Sequence, residues 1–415
     1  MRLSDQEYNR LRLLKTIRRA QPVARTDLTQ LTGLAAGTIS ELTRELVARN
    51  ILVEERAPLR RGRPRVELRL NPNAAHAVAI GLGFRWTAMV EIVDMTGRCV
   101  FSHEEKLPFT RSIGELAQAF AAAVDHAIGA SPFVNDDIHC VGVTLPAITD
   151  VINGIVHWMV MYPEEPTPFA AIMEDRLGIP VIVDNGGNVL ARAEHWFGDG
   201  PMLDDFTLFA ISIGMATAYY SQGMLWVGAH GFNPELAHAK VVFENGRPCY
   251  CGTSGCMAAY SSGYAIVEQY REAKGLPPVG VADMLASMRA IAAEARAGDG
   301  EAKALFERAG LYLGTVLADH INGHDPARIV LLYDEPAYVE MIRPAAEAAL
   351  AKNVIPPLRG RAVVEFRPFD DEETNRKGAA ALALEQIYRA PIARGTSEHA
   401  HGGEPSEAGE HGVRL

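Results

Sequence analysis

The chain has 415 residues, 48% of them hydrophobic and 22% charged, with a formal net charge of −11. That length exceeds what one hydrophobic core organises, so two or three domains are expected. No uncharged apolar run reaches the roughly 18 residues of a membrane span, and the first twenty residues are arginine-rich without the apolar centre of a secretory signal, so the expected location is the cytoplasm.

The charge is unevenly spread. Residues 1–70 contain 15 Lys and Arg against 8 Asp and Glu, which leaves 25 against 43 for the remainder. A basic head on an acidic body confines any nucleic-acid contact to the head.

In chain order, Ser4 is a good N-cap for a helix over 4–20 whose Leu11, Leu14 and Ile17 share a face. A second helix is expected to begin at Thr26 as its cap, with Asp27 placed favourably for the helix dipole, and to stop at Gly33. The third runs over 35–49 with Ile39, Leu42 and Leu46 inward, and Asn50 is suited to a left-handed end. Two short strands, 51–55 and 66–70, flank the basic loop Arg60, Arg61, Gly62, Arg63, Pro64, Arg65. Helix, glycine turn, helix and a basic two-stranded wing make a winged helix-turn-helix, which lays its second helix in the major groove of operator DNA. Ala36, Gly37, Thr38 and Ser40 then meet base edges, while Arg44, Arg18, Arg19 and Arg25 are placed for phosphates. Arg61 and Arg63, held extended by Gly62 and Pro64, resemble an AT-hook core suited to a minor groove.

Residues 71–73 read as a linker. Beyond it, apolar strands at 78–82, 89–93, 99–103, 140–144, 181–183, 208–213, 218–220 and 329–332 alternate with alanine-rich helices at 113–128 and 376–388. This is an α/β body. After Pro391 the sequence lacks aromatics and is rich in Gly, Ser, Glu and His, so 391–415 is expected to be disordered.

His238 precedes Cys249, Cys251 and Cys256, with Gly252 and Gly255 between the last cysteines. Three sulfurs and an imidazole within nineteen residues can close a tetrahedral Zn2+ site, and a site with no open position is structural.

Taken with the winged head, this knuckle and the Glu235-x-x-His238 element resemble the ROK family (repressor, open reading frame, kinase), specifically its DNA-binding repressors. The resemblance implies an actin-like, hexokinase-type fold of two lobes around a sugar cleft, assembled as homodimers or homotetramers. The corresponding divisions are a head at 1–70, a small lobe at 76–190 completed by 376–390, and a large lobe at 191–375 carrying the knuckle. By the same resemblance Asn185, Glu235 and His238 bond the sugar of a small-molecule effector.

The family's kinase chemistry is expected to be absent. Its base, the aspartate of an Asn-Asp-Ala-Asn element, is replaced by Gly186 in Asp184-Asn185-Gly186-Gly187-Asn188. The first phosphate loop has Leu82 in its acidic place, the second reads Gly214-Met215-Ala216-Thr217-Ala218, and the adenosine glycines are Leu332 and Tyr333. A further family glutamate is Ala258. Loss of a general base alone costs about 100- to 10,000-fold in rate. The sequence therefore predicts a transcriptional regulator that is not an enzyme. An active sugar kinase with an accessory head, or a regulator governed by a protein partner with a vestigial cleft, are the alternatives.

Overall fold

The computed structural model describes residues 4–56, 66–83, 86–162, 166–198 and 203–389. The expected wing tip with Arg61 and Arg63, the residues Phe84 and Arg85, and the expected disordered tail at 391–415 lie outside the described residues.

The chain opens with α1 (Asp5–Ala20), β1 (Val23–Ala24), α2 (Arg25–Thr32), α3 (Ala36–Ala48), β2 (Leu52–Arg56) and β3 (Val66–Leu70). Ser4 caps α1 reciprocally with Glu7, satisfying two amides that the helix start leaves open. The cap expected at Thr26 is absent, because α2 begins at Arg25 with Ala24 as its N-cap, two residues before the expected cap. The cause is β1, a strand not read from the sequence, whose pairing with β3 delivers extended backbone straight into the helix. Gly33 ends α2 at φ +69°, a conformation that costs a residue with a Cβ. Strands β1, β3 and β2 form one antiparallel sheet, with Leu52 opposite Leu70 and Arg56 opposite Val66.

The expected linker is not loose. Asn71 accepts a hydrogen bond from the Asn73 amide and donates to the Asn50 carbonyl, and Pro72 O accepts from Met95 N.

The body contains two five-stranded sheets. The first comprises β4 (His76–Gly83), β5 (Thr87–Asp94), β6 (Cys99–Lys106), β7 (Ile138–Leu145) and β10 (Val181–Asn185), ordered β10-β7-β4-β5-β6. Its Val78, Ile80, Val90, Val141 and Val143 bury against α4 (Ile113–Ala130), as β-branched side chains suit a covered pleated surface. A hairpin of β8 (Ala147–Asp150) and β9 (Ile155–Met159), then α5 (Phe169–Leu177), lead into β10, and α6 (Gly186–Phe197) follows directly.

The second sheet is ordered β13-β12-β11-β14-β15, from β11 (Phe206–Ile211), β12 (Met215–Ser221), β13 (Met224–Leu225), β14 (Arg328–Tyr333) and β15 (Val363–Pro368). Helices α7 (Ala258–Ser261), α8 (Gly263–Ala273), α9 (Met284–Ala297), α10 (Gly300–His324) and α11 (Pro336–Asn353) fall between β13 and β15. They share a core with Phe209, Ile211, Ile329 and Leu331.

The closing helix α12 (Asp371–Arg389) returns to the first sheet and packs on α6, β4, β7 and α1. A Cβ at Gly378 would stand 2.1 Å from Val189 O, so this residue lets α12 and α6 approach closely. Helix α1 consequently has two buried sides. Leu11, Leu14 and Ile17 fill the head, and the core they belong to continues through Trp196, Leu384, Ile387 and Tyr388 of α6 and α12.

Candidate functional site

The knuckle is assembled by a short 3-10 turn and a tight loop. Glu235 starts the turn that presents His238, and the loop returns Cys249, Cys251 and Cys256 to it. One ligand atom from each of the four lies within 4.8 Å of the others. Cys251 Sγ is 3.7 Å from Cys256 Sγ, and Cys249 Sγ is 3.5 Å from His238 Nδ1. A tetrahedral ion with bonds of about 2.3 Å to sulfur holds its sulfurs roughly 3.8 Å apart, so the donor set fits zinc. Burial pushes the Cys249 thiol up to about 12, and a thiolate there requires a compensating cation. Lys240 Nζ, 3.0 Å from Cys256 Sγ, supplies part of that charge.

The expected ligand residues sit nearby with differing freedom. Asn185 caps α6, its Oδ1 accepting from Asn188 N at 2.8 Å, which leaves its NH2 group as the donor for a ligand. Burial raises the Glu235 carboxyl to about 7, against a hydrogen bond from Asn233. With Nδ1 of His238 turned to the sulfurs, Nε2 is the ring nitrogen left for another partner. Trp158 stacks on Tyr250 with centroids 5.8 Å apart, and Tyr250 meets the His238 ring edge-on.

Asp184 is fully buried and its carboxylate is engaged on both oxygens. Its Oδ1 accepts from Asn185 N and from Asn188 Nδ2, at 2.7 and 2.9 Å, and its Oδ2 from Arg192 at 2.5 Å. A Cβ at Gly186 would meet nothing within 4 Å, so a side chain there is missing rather than excluded. At Gly187 a Cβ would lie 2.9 Å from Thr217 O and 3.2 Å from Ala216 Cβ, which places the α6 start hard against the second loop. That loop is a tight hairpin, Ser212 N donating to Gly214 O. Asp334, following β14, accepts from Ser212 Oγ, so a carboxylate joins the segment before Gly214 to the one after Leu332 and Tyr333.

On the head, Ala36, Gly37, Ser40 and Arg44 are exposed and Thr38 is half-buried, all near the start or outer side of α3. Two arginines assigned to phosphates are otherwise engaged. Arg18 donates to Trp196 O and lies over the Trp196 and Phe197 rings, and Arg25 bonds Thr43 Oγ1 and Glu54.

A model of the ROK family matches residues 78–386. The chain belongs to the ROK family. Among its ROK relatives, the DNA-binding transcriptional dual regulator NagC of Escherichia coli is 24% identical over 383 residues, covering 91% of this chain and 92% of NagC. The xylose repressor of Caldicellulosiruptor bescii is 25% identical over 262 residues, 63% of this chain and 65% of that repressor, so the match spans just under two thirds of its length. A crystal structure of a ROK family transcriptional regulator, a homolog of E. coli Mlc, superposes with a TM-score of 0.74 at 23% identity, over 92% of this chain and 97% of that one. A ROK family glucokinase from Streptomyces griseus gives 0.57 at 24% identity, over 74% of this chain and 98% of the glucokinase. The mixed α/β ROK fold is thus common to regulators and kinases.

Within this ROK fold, three large aromatics outside the head have different surroundings. Tyr220 is core, stacked on Phe206 and His195, Tyr219 stacks on His320, and Trp158 stands by the knuckle. Sequence reading missed Arg192, Glu385 and Lys15, buried charges from three separate helices; only their occurrence inside otherwise apolar helix faces could have signalled them.

Proposed function

We propose that this ROK protein is a DNA-binding transcriptional regulator of carbohydrate-metabolism genes, acting in the cytoplasm as a homodimer or homotetramer. The observation carrying the reading is the exposed Ala36, Gly37, Ser40 and Arg44, with half-buried Thr38 among them, on a helix that follows a turn at Gly33. Relatives that match more than nine-tenths of this chain and are DNA-binding regulators support it. Residues 1–70 are the winged head, with Arg61 and Arg63 reaching a minor groove. The first and second sheets belong to the small and large lobes.

The effector is a sugar or sugar derivative held by Asn185, Glu235 and Nε2 of His238, and a structural Zn2+ on His238, Cys249, Cys251 and Cys256 fixes that imidazole. Phosphoryl transfer is not its activity. Gly186 offers no base, Asp184 is occupied by Arg192, and the Asp334 carboxylate repels nucleotide phosphates.

Selection of operator DNA from a random pool by the full chain, followed by anisotropy titration, tests the reading. Specific binding that requires residues 1–70 is expected. Specific binding that persists after their deletion, or rapid ATP-dependent phosphorylation of a common hexose, would overturn it.

A further inference from the structure

Helix α6 joins the cleft to the head. Its first turn is the Asn185-capped segment beside Ala216 and Thr217, and its last turn lies beneath α1. Twelve residues at 1.5 Å rise span about 17 Å between these places. Asn188, Arg192 and Trp196 recur at intervals of four, so one face of α6 carries all three.

Along that face runs a buried chain of alternating charge. Asp184 accepts from Arg192 at 2.5 Å, and the same guanidinium donates through Nε to Glu385 of α12 at 3.0 Å. Glu385 pairs with Lys15 of α1 at 3.4 Å and accepts from Trp196 Nε1 at 3.2 Å. Arg389, at 3.4 Å, and the Tyr220 hydroxyl, at 3.5 Å, also bond Glu385. Asp184, Arg192, Glu385 and Lys15 are each no more than 5% exposed at the side chain. Lys15 also lies 3.3 Å from His195 Nε2, and its ammonium and the Arg18 guanidinium both sit 5.2 Å from the Trp196 ring. Because Leu203 O takes the proton of His195 Nδ1, Nε2 is the lone-pair nitrogen that accepts from Lys15.

The arrangement makes one cation serve two carboxylates, one at the cleft and one under the head. Were the 184–188 turn to shift so that the bond to Asp184 lengthened, Arg192 would be drawn toward Glu385, and the hold of Glu385 on Lys15 would weaken. In a low-dielectric interior such exchanges between discrete partners are strong and switch-like.

We propose that α6 is the transmission element of this regulator, and that Arg192, Glu385 and Lys15 are positioning residues coupling occupancy of the cleft to the seating of the DNA-reading head. The inference rests on the function proposed above, but its test uses no DNA, so failure of either is seen separately.

Hydrogen exchange of the full chain, read by mass spectrometry in peptides covering 184–190, 8–20 and 87–94, tests the coupling. Lys15→Met removes a charge from the head alone, and exchange of the 184–190 amides is expected to quicken by roughly tenfold, a typical coupling between sites. Lys15→Arg keeps the charge and restores slow exchange. Asp184→Asn, by linkage, quickens exchange in 8–20. Should these variants prove unstable, Trp196→Phe deletes only the indole donor to Glu385 and gives a smaller change at the same two places. The inference is overturned if 184–190 is unmoved by Lys15→Met or Trp196→Phe, or if 87–94 quickens in parallel, which marks general destabilisation.

Discussion

Two glycines of the knuckle allow its energetics to be separated by substitution. Gly252 and Gly255 both adopt left-handed backbone, at φ +84° and +77°. A Cβ at Gly252 meets nothing within 4 Å, whereas one at Gly255 lands 1.9 Å from Val242 O. Gly252→Ala therefore carries only the left-handed penalty, about 1–2 kcal/mol. Gly255→Ala adds the displacement of a backbone carbonyl, an overpacking cost of about 1–3 kcal/mol. The total is about 2–5 kcal/mol. The displaced segment matters for the metal as well. Gly255 O accepts from Val241 N and Val242 N, its own amide donates to Arg247 O, and Cys256 is the next residue. Gly255→Ala is thus expected to release zinc readily to a competing chelator and to lower the urea midpoint, while Gly252→Ala keeps the metal with a modest loss of stability. Equal zinc retention and equal midpoints in the two variants would refute the steric argument.

Cys251→Ser removes one of four ligands, and elemental analysis is expected to find much less than one zinc per chain; full retention would contradict the assignment. Arg44→Ala is expected to weaken operator and non-specific DNA alike and to lower the slope of log affinity against log salt by about one, as loss of a single phosphate contact does. An altered base preference would instead make Arg44 a reader of sequence. His320 is held neutral, burial first and then the neighbouring His324 pulling it down to about 4. Its folded value lies below that of the unfolded chain, so its contribution is complete above about pH 6.5 and is lost as the pH falls toward 4. Replacement by Gln destabilises at pH 7.5 through the lost bond to Thr207 and stacking on Tyr219, but the gap to wild type narrows by about 1.4 kcal/mol per unit below pH 6.5. A gap that stays constant in urea titrations between pH 7.5 and 4.5 would exclude this titration.

What could be read from the sequence was local. The knuckle lies within nineteen residues and its spacing encodes its geometry, and the α3 core positions Ile39, Leu42 and Leu46 follow from helical periodicity. Strand β1 escaped notice because two residues carry no period, and β15 because its partly exposed pattern lacks the apolar run of β14. The early start of α12 is signalled by Asp371, Glu372 and Glu373, acids that favour a first turn, five residues before the Arg376 at which the expected helix begins. Arg18 reads from the sequence as a phosphate contact alongside Arg19, Arg25 and Arg44 of the head. Only the fold brings Trp196 and Phe197 beneath it. The pairing of Lys15 with Glu385 joins residues 370 apart in sequence, beyond the reach of any periodicity.

The packing of α1 on α12 also orders events during synthesis. Chains emerge from the amino end and their early units fold first. The inner side of α1 can fill the head as soon as β3 has emerged, but Lys15 must wait for Glu385, and the outer apolar side for Leu384, Ile387 and Tyr388. A nascent chain therefore carries a formed head that is not yet docked, and only translation of the last helix gives that head the orientation in which a finished molecule meets DNA.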